Sequence, residues 1–485
     1  MAIDLYLVRI VLNSLGAVDY GIFDVVAGIV LMFQSVSSVL VISTQRFYSY
    51  AIGKKDDSAL KSIFSSSFNI YILLSLIILV ACETVGVWLL NNQLTIPLER
   101  QLAANWVFQF SILSFIFSIL QIPFLAAVIA NEDMGIYSVL SILNCLLKLV
   151  FALFISSVSW DRLVYYGSYL LLIALIIFIS YAIVGFKRYN WCRYSFQSAQ
   201  HHKEIISFSG WTFCGTIANV GMTQFCSILV NAFFGPIVNA ARAISFQINN
   251  AINAFCGSFL MAIRPPMIKA YAEGNYVYLN KLFESSNKIV YYLLLMVCLP
   301  LFFEMDTILF YWLKTTDYQT VLFARLIVIY ALVLSLNSPI TFIIHATGHV
   351  KEYHTLVEIP TLLCAPLTYL SFKMGASASS TYIIMITAII VSHIIRVFCL
   401  KKYYLEFDIH IYIKSFCIKA IFVTTIVSGV VFLVHVMLTN NLLRLFSVCL
   451  FSILAEIVVV WLFALKESEK KLVVTSLRNI RMKYL

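Results

Sequence analysis

Residues 50–66 of this chain, YAIGKKDDSALKSIFSS, have a counterpart at residues 271–286, YAEGNYVYLNKLFESS. Both segments contain Tyr-Ala-x-Gly followed by Lys-x-x-x-Ser-Ser, and they lie about 220 residues apart. Weaker similarity precedes them, because residues 13–16 (NSLG) resemble residues 231–235 (NAFFG). A repeat of this length indicates a chain built from two duplicated halves.

The composition places the chain in a membrane. Of its 485 residues, 61% are apolar and 12% are charged, and the mean hydropathy is +0.93. A soluble chain of this length would lack the polar residues needed to cover its surface. The apolar runs predict an all-α polytopic membrane protein with about fourteen transmembrane helices. Their approximate ranges are 1–16, 20–43, 63–91, 104–130, 136–158, 163–186, 205–234, 237–262, 288–313, 322–346, 355–373, 379–400, 414–438 and 442–465.

The distribution of basic residues orients these helices. Most of the 33 Lys and Arg residues fall in the loops and the C-terminal tail on one side, and the positive-inside rule makes this side cytoplasmic. Both termini are therefore expected on the cytoplasmic side. The net charge of +10 is explained by this topology and by anionic head groups, so we expect membrane lipids and no nucleic acid as partners.

The repeat and the orientation together predict the domain organisation. An even number of helices separates the first helices of the two copies, so both copies enter the membrane from the same side and form parallel repeats. We expect an N-terminal six-helix lobe at residues 1–200, a repeated six-helix lobe at 201–405, and two additional transmembrane helices with a basic cytoplasmic tail at 406–485. Duplicated lobes of this kind are typical of transporters, whose substrate site lies between them.

The first sixteen residues are short for a transmembrane helix. They would measure about 24 Å, less than the roughly 30 Å hydrocarbon core. Either the first helix begins inside the membrane, or the native chain begins further upstream. A basic leader and a signal-peptide cleavage site are not visible. The eleven cysteines show neither a CxxC pair nor metal-ligand spacing, so we expect no metal site and no cofactor.

A polar stripe on helix 8 marks the candidate substrate site. Arg242, Asn249 and Asn253 lie within about 40° of one another at about 100° per residue, and Ser245 lies at the edge of the stripe. A charge inside a membrane costs about 2.5–3.5 kcal/mol, so it usually faces a wet cavity or a partner. Arg242 has no acidic partner in its own helix hairpin, which favours the cavity.

Helices 1 and 2 carry related stripes. The same geometry groups Arg9 with Asn13 and Gly16 on helix 1, and a weaker stripe of small and polar residues on helix 2 includes Asp24. Three such faces, all from the first two helices of each copy, predict a shared central cavity. Close helix packing would also produce small and polar stripes, and Arg9 would then pair with Asp24 as a structural ion pair.

An anionic ligand would explain the stripes. Arginine presents paired donors that match phosphate oxygens, and a partly desolvated cavity strengthens this contact. A cavity lined by Arg9 and Arg242 would therefore suit a diphosphate.

Two stretches carry a resemblance to a known family. Residues 8–16 (VRIVLNSLG) with 19–23 (DYGIF), and residues 235–242 (GPIVNAAR) with Phe246-Gln247, resemble bacterial polysaccharide flippases of the O-antigen (Wzx-like) type. These flippases belong to the superfamily of multidrug, oligosaccharidyl-lipid and polysaccharide exporters. The resemblance extends along essentially the whole chain. It implies two six-helix lobes, a central cationic cavity, and export of undecaprenyl-diphosphate-linked oligosaccharide across the bacterial inner membrane by alternating access.

The resemblance also assigns residues. Arg242 is similar to a helix 8 arginine that related flippases of lipid-linked murein precursors place in their cavity, whereas Arg9 matches their helix 1 cations less closely. These relatives also carry an arginine near the middle of helix 2, where this chain has Leu31 to Gln34, so a three-arginine clamp is not expected here. Arg46 and Arg264 would lie at the cytoplasmic entrance. The family implies polysaccharide assembly proteins as partners, and the coupling ion, Na⁺ or H⁺, stays open.

Two other functions remain open. A cation-coupled multidrug antiporter of the same superfamily would share the fold, but would hold acidic cavity residues, and Asp24 is the only acid within the three stripes. A membrane glycosyltransferase or polymerase would need an acceptor site, usually on a large outer loop. The outer loops here are short and show no paired-carboxylate motif, so we do not expect an enzyme.

Overall fold

The structure is a computed structural model of the chain. It describes residues 34–92, 96–158, 161–195, 201–313, 317–439, 441–467 and 469–471, together with Leu7, Ile10, Val11, Ser14–Gly16, Asp19, Ile22, Phe23, Val26 and Val30. Every regular element in this part of the chain is a helix, so the predicted all-α class is confirmed. Two compact units divide the chain, Met1–Thr216 and Ile217–Leu485. The three-part domain division at residues 200 and 405 stays a prediction.

The described part of the first unit contains five long helices before residue 200. They are α1 (Gln34–Lys54), α2 (Asp57–Asn92), α3 (Leu98–Ala130), α4 (Met134–Phe154) and α5 (Arg162–Arg188). The inner faces of α2 and α3 carry a core that includes Tyr71, Val107 and Phe108, none of them exposed. Close packing of these side chains holds the helices together. It must supply the attraction, because a membrane interior provides no hydrophobic driving force for helix association.

A long helical stretch from His202 to Ala272 follows and is broken twice. Its pieces are α6 (His202–Gly235), α7 (Ile237–Gly257) and α8 (Phe259–Ala272), and α7 and α8 meet at an angle of 45°. Gly235 separates α6 from α7 because its backbone is non-helical, with φ 82° and ψ 178°. L side chains rarely adopt such a positive φ, so glycine is required at this break.

The remaining helices complete the second unit. They are α9 (Tyr276–Phe303), α10 (Met305–Leu313), α11 (Tyr318–Thr347), α12 (Val350–Lys373), α13 (Ser380–Tyr403), α14 (Ile409–Met437) and α15 (Asn441–Ala464). In the described part of the chain, eleven helices are long and apolar enough to cross a membrane, or twelve if the bent pair of α7 and α8 counts as one span. Most of the predicted helix over residues 1–16 and much of the one over 20–43 lie outside the described residues.

The two copies of the repeat have the same local structure. Gly16 and Gly235 share a φ of 82°, and each ends the NSLG-like segment that opens its copy. The Tyr-Ala-x-Gly segments then end α1 and α8, and an Asx side chain begins the next helix in both cases. Asp56 accepts a hydrogen bond from the backbone N–H of Ala59, and Asn275 accepts one from that of Tyr278. The bonds from the Ala59 N–H and the Ser58 hydroxyl lower the pKa of Asp56.

Helix α1 continues further than the hydropathy of the sequence predicts. The apolar run ends near residue 43, but the helix continues to Lys54. Ser43, Thr44 and Gln45 are buried, at 2% exposure or less, because this polar stretch packs inside the first unit. Hydropathy assigns such residues to a loop, because it depends on the polarity of each residue and not on its burial in the folded protein.

The two C-terminal helices pack against the second unit. Val423, Val427 and Val431 of α14 and Val448 of α15 are fully buried in the same core as α9. Beyond α15, the Glu469 carboxylate forms a salt bridge with Lys288, with 2.8 Å between Oε2 and Nζ. Helices α14 and α15 are therefore an integral part of this unit.

Candidate functional site

Arg242 lies in the first turns of α7 and is 2% exposed. Its Nη2 donates a hydrogen bond to the backbone carbonyl of Thr223 in α6, at 2.9 Å. Its guanidinium lies over the rings of Phe246 and Tyr382, 4.4 Å and 5.9 Å from their centroids. Its Nη1 is buried and makes no hydrogen bond within the described part of the chain. Two ring faces and a carbonyl thus hold the Arg242 guanidinium in place, and its Nη1 can donate a hydrogen bond to another group.

Tyr382 of α13 fixes the other side of this arginine. Its hydroxyl lies 2.6 Å from that of Ser245, and the Ser245 hydroxyl donates to the carbonyl of Arg242 at 2.7 Å. Since the serine proton is used there, Tyr382 is the donor in the first bond. Tyr382 is 1% exposed and packs on Phe323, with ring centroids 4.9 Å apart. The sequence analysis did not identify Tyr382, which lies far from Arg242 along the chain.

The predicted stripe on helix 8 divides in the structure. Arg242 and Asn249 are both buried, and the Asn249 Oδ1 accepts no hydrogen bond from the described residues. Asn253 is exposed. The structure therefore brings an unused donor and an unused acceptor onto the buried side of α7.

The structure describes the predicted helices 1 and 2 only in part. Arg9, Asn13 and Asp24 fall outside the described residues. Asp19, within the quoted DYGIF segment, is 7% exposed and accepts a hydrogen bond from the Arg100 Nε at 2.8 Å. The same guanidinium also pairs with Asp161. The sequence analysis missed this ion cluster, which anchors the segment to the starts of α3 and α5.

The two predicted entrance arginines each lie against aromatic rings of their own unit. Arg46 in α1 lies over Phe47 and Phe208, at 4.7 Å and 5.3 Å from the ring centroids. Arg264 in α8 is 7% exposed and its Nη2 lies 3.1 Å from the His345 Nδ1. Both side chains are thus held in place by contacts within one unit, which suits a structural role as well as an entrance.

A buried polar network in the second unit was not predicted as a site. Glu358 is 8% exposed, and its Oε1 lies 3.3 Å from the Nδ1 of His354. Its Oε2 accepts a hydrogen bond from Asn219 at 3.4 Å. Nearby, the Arg396 Nε donates to the Tyr353 hydroxyl at 2.8 Å. The network joins residues of α6, α12 and α13, so the sequence pattern of a single helix could not predict it.

The described residues contain no group of three or more His, Cys, Asp or Glu side chains suited to a metal ion.

Solved structures of known transporters share this architecture. A multidrug resistance MATE family transporter of the MOP superfamily, in an outward-facing conformation, matches with a TM-score of 0.69 and 13% identity, over 83% of this chain and 92% of its own. A MATE transporter of Vibrio cholerae in the bent form matches with a TM-score of 0.64 and 14% identity, over 83% and 98%. The chain has the MATE transporter fold.

A third structure with this MATE fold differs in its site. It is a MOP superfamily transporter from Pyrococcus furiosus, described as having a binding pocket of reverse polarity, with a TM-score of 0.66 and 13% identity over 83% of this chain and 92% of its own. No protein-family model matches the chain, and no curated protein sequence matches it. At identities of 13–14% the likeness establishes the MATE fold, and the substrate must be argued from the site.

Proposed function

We propose that this chain is an exporter that moves an undecaprenyl-diphosphate-linked oligosaccharide from the cytoplasmic to the outer leaflet of the bacterial inner membrane, for O-antigen or capsule-type polysaccharide synthesis. It would work by alternating access, with both termini cytoplasmic and without enzymatic chemistry. The observation that carries the proposal is the buried guanidinium of Arg242, whose Nη1 has no acceptor within the described residues.

The chemistry of Arg242 favours an anion. A buried donor without an acceptor costs about 1–3 kcal/mol. The groups found in contact with the Arg242 guanidinium are the Thr223 carbonyl, two rings and the Tyr382 hydroxyl, and none of them carries a negative charge. A phosphate oxygen would supply both the acceptor and the charge. The Asn249 Oδ1, which accepts no hydrogen bond from the described residues, would accept one from a sugar hydroxyl. A donor for phosphate and, about two helical turns further along α7, an acceptor for hydroxyl fit a diphosphate-linked sugar.

The main alternative is a cation-coupled multidrug antiporter. Several structures with this fold are MATE transporters, one of them described as a multidrug resistance transporter. The buried carboxylate of Glu358 is the observation that favours this alternative, because an antiporter needs an acidic group for its cation. The transporter described as having a binding pocket of reverse polarity supports the view that one fold can hold pockets of different polarity.

A reconstitution experiment separates the two functions. The purified chain would be placed in vesicles that contain fluorescent undecaprenyl-diphosphate oligosaccharide in the inner leaflet, and exposure of the label outside would be measured. We expect translocation that Arg242→Ala abolishes. A parallel assay with a lipophilic dye cation under a proton or sodium gradient should show no transport. Dye transport without lipid translocation would establish the antiporter.

A further inference from the structure

A cavity of about 350 Å³ lies within the second unit, where α9 and α14 begin. We call it the α9–α14 pocket. Its size is at the lower end of the range of about 300–1,000 Å³ that small-molecule sites occupy. Arg242 does not line it, so the pocket is separate from the proposed substrate site.

Four aromatic rings form one wall of the pocket. Phe283, Phe407, Tyr412 and Phe416 all line it and are at most 5% exposed. The ring of Phe283 lies 5.7 Å from that of Phe407 and 5.8 Å from that of Tyr412, and Tyr412 lies 5.7 Å from Phe416. Grouped ring faces attract cations, and such groups are a common way to bind ammonium ligands.

Asn287 supplies a buried acceptor in the same pocket. The residue is 2% exposed, and its Nδ2 donates to the Phe283 carbonyl at 2.8 Å. Its Oδ1 is buried and accepts no hydrogen bond from the described residues. A buried acceptor is costly to leave unpaired, so a ligand with an N–H group would satisfy it.

The charged residues of the pocket are of both signs. Glu406 and Asp408 line it beside the rings, and Lys281 lies on its rim. Asp408 is held in place because its Oδ1 accepts hydrogen bonds from the backbone N–H groups of His410 and Ile411, at 2.8 Å and 3.2 Å. Glu284 also lines the pocket, but it is paired with Lys466 at 2.6 Å. The carboxylates of Glu406 and Asp408, which form no salt bridge within the described residues, and the ammonium of Lys281 suit a zwitterionic ligand.

We propose that the α9–α14 pocket binds the head group of an aminophospholipid. Its primary ammonium would donate to the Asn287 Oδ1 and to the carboxylates of Glu406 and Asp408, against the aromatic wall, while its phosphate lies near Lys281. The pocket is at the ends of two membrane-spanning helices, where head groups are found. Val277 and Ile411 on its rim are 71% and 59% exposed, and they offer apolar surface to the acyl chains.

The acceptors in the pocket distinguish between lipids. Ethanolamine carries three N–H donors, whereas choline carries none and would leave the Asn287 Oδ1 unpaired. We therefore expect phosphatidylethanolamine to bind about tenfold more tightly than phosphatidylcholine, the ratio that corresponds to one charge-assisted hydrogen bond. Phosphatidylglycerol, which has no ammonium, should bind still more weakly.

Native mass spectrometry of the purified full-length chain tests this order. The chain would be titrated with each of the three lipids, and with soluble phosphoethanolamine as competitor. The expected result is a tenfold preference for phosphatidylethanolamine, with weak competition from the soluble amine. Equal binding of phosphatidylethanolamine and phosphatidylcholine would overturn the proposal. Competition by phosphoethanolamine at the lipid's own concentration would also overturn it, since the site would then serve a soluble amine.

Two variants locate the binding. Asn287→Leu removes the buried acceptor and should bring the preference close to unity. Glu406→Gln removes an exposed charge without touching the core and should weaken the binding of phosphatidylethanolamine. Glu273→Gln is the matched control, because Glu273 is exposed and does not line the pocket. Unchanged binding in Glu406→Gln, together with a preference that survives in a folded Asn287→Leu variant, would show that the lipid binds elsewhere.

Discussion

Glu304 and Arg444 form a buried ion pair that joins the end of α9 to the beginning of α15. Glu304 is not exposed at all, and its Oε1 accepts a hydrogen bond from the Arg444 Nε at 2.9 Å. His435 at the end of α14 lies 2.7 Å from the same oxygen, and Thr307 donates to the other carboxylate oxygen at 2.9 Å. The Glu304 carboxylate therefore connects both C-terminal helices, α14 and α15, to the rest of the second unit.

Replacing this carboxylate should destabilise the second unit. Glu304→Gln leaves the Arg444 guanidinium without its counter-charge in a mostly buried position, and loss of one partner of a buried pair costs about 3–5 kcal/mol. We expect a clear fall in the thermal unfolding temperature of the purified chain in detergent.

The control for this variant is an exposed pair in the same unit. Arg325 and Asp306 lie 2.5 Å apart, and the Asp306 side chain is half exposed. Exposed pairs contribute about 0–1 kcal/mol, so Asp306→Asn should change the unfolding temperature little. Equal shifts for Asp306→Asn and Glu304→Gln would contradict a specific anchoring role for Glu304.

The parallel arrangement of the repeats predicts the topology of their equivalent turns. Lys54 is exposed directly after the first Tyr-Ala-x-Gly segment, Glu273 is exposed within the second, and Glu99 is exposed beyond the end of α2. Single cysteines at the first two positions should react with an impermeant reagent only after the cells are opened, and one at position 99 should react in intact cells. Labelling of positions 54 and 273 from opposite sides would contradict parallel repeats.

Arg242 should be needed for transport more than for folding. Arg242→Ala removes the ring contacts of the guanidinium, but it also removes the buried Nη1 donor that makes no hydrogen bond with the described residues. We therefore expect the variant protein to reach nearly normal abundance and to export no substrate. Arg242→Lys keeps the charge and loses the planar fork, so it should restore only part of the activity. Arg325→Ala, a control arginine away from the site, should export normally. Full export by Arg242→Ala would remove this residue from the proposed site.

The sequence predicted the membrane class and the repeat because both depend on local patterns. Apolar runs of about 20 residues locate spans, and the glycine at position 235 marks a break that the structure places between α6 and α7. The extension of α1 through Ser43 to Gln45 could not be predicted, since burial of polar residues depends on neighbours from other helices. The packing of α14 and α15 against α9 could not be predicted for the same reason.

The site was predictable only along single helices. The periodicity of helix 8 grouped Arg242 with Asn249, and both are buried. It also grouped Asn253 with them, which is exposed, because a stripe on one helix does not show how far its neighbours extend. Tyr382 could not be found, since its contact with Ser245 joins helices that are distant along the chain.

Asp24 and Arg9 provide the last prediction, which rests on the sequence alone because both lie outside the described residues. Just before the predicted helix that contains Asp24, Asp19 already serves as the partner of Arg100, so Asp24 is not required there. We expect Asp24 to be the counter-ion of Arg9. Asp24→Asn would then leave a lone cation in a low-dielectric setting and lower the unfolding temperature.

Adding Arg9→Gln to Asp24→Asn should restore the unfolding temperature but not export, because the lone charge is removed together with a cation of the proposed site. The matched control is Arg9→Gln alone, which should lower stability by leaving the carboxylate unpaired. Unfolding temperatures and vesicle translocation would be measured for all three variants. If the double variant is no more stable than Asp24→Asn, the two residues are not partners, and a loss of ion dependence in Asp24→Asn would instead make Asp24 the site of the coupling cation.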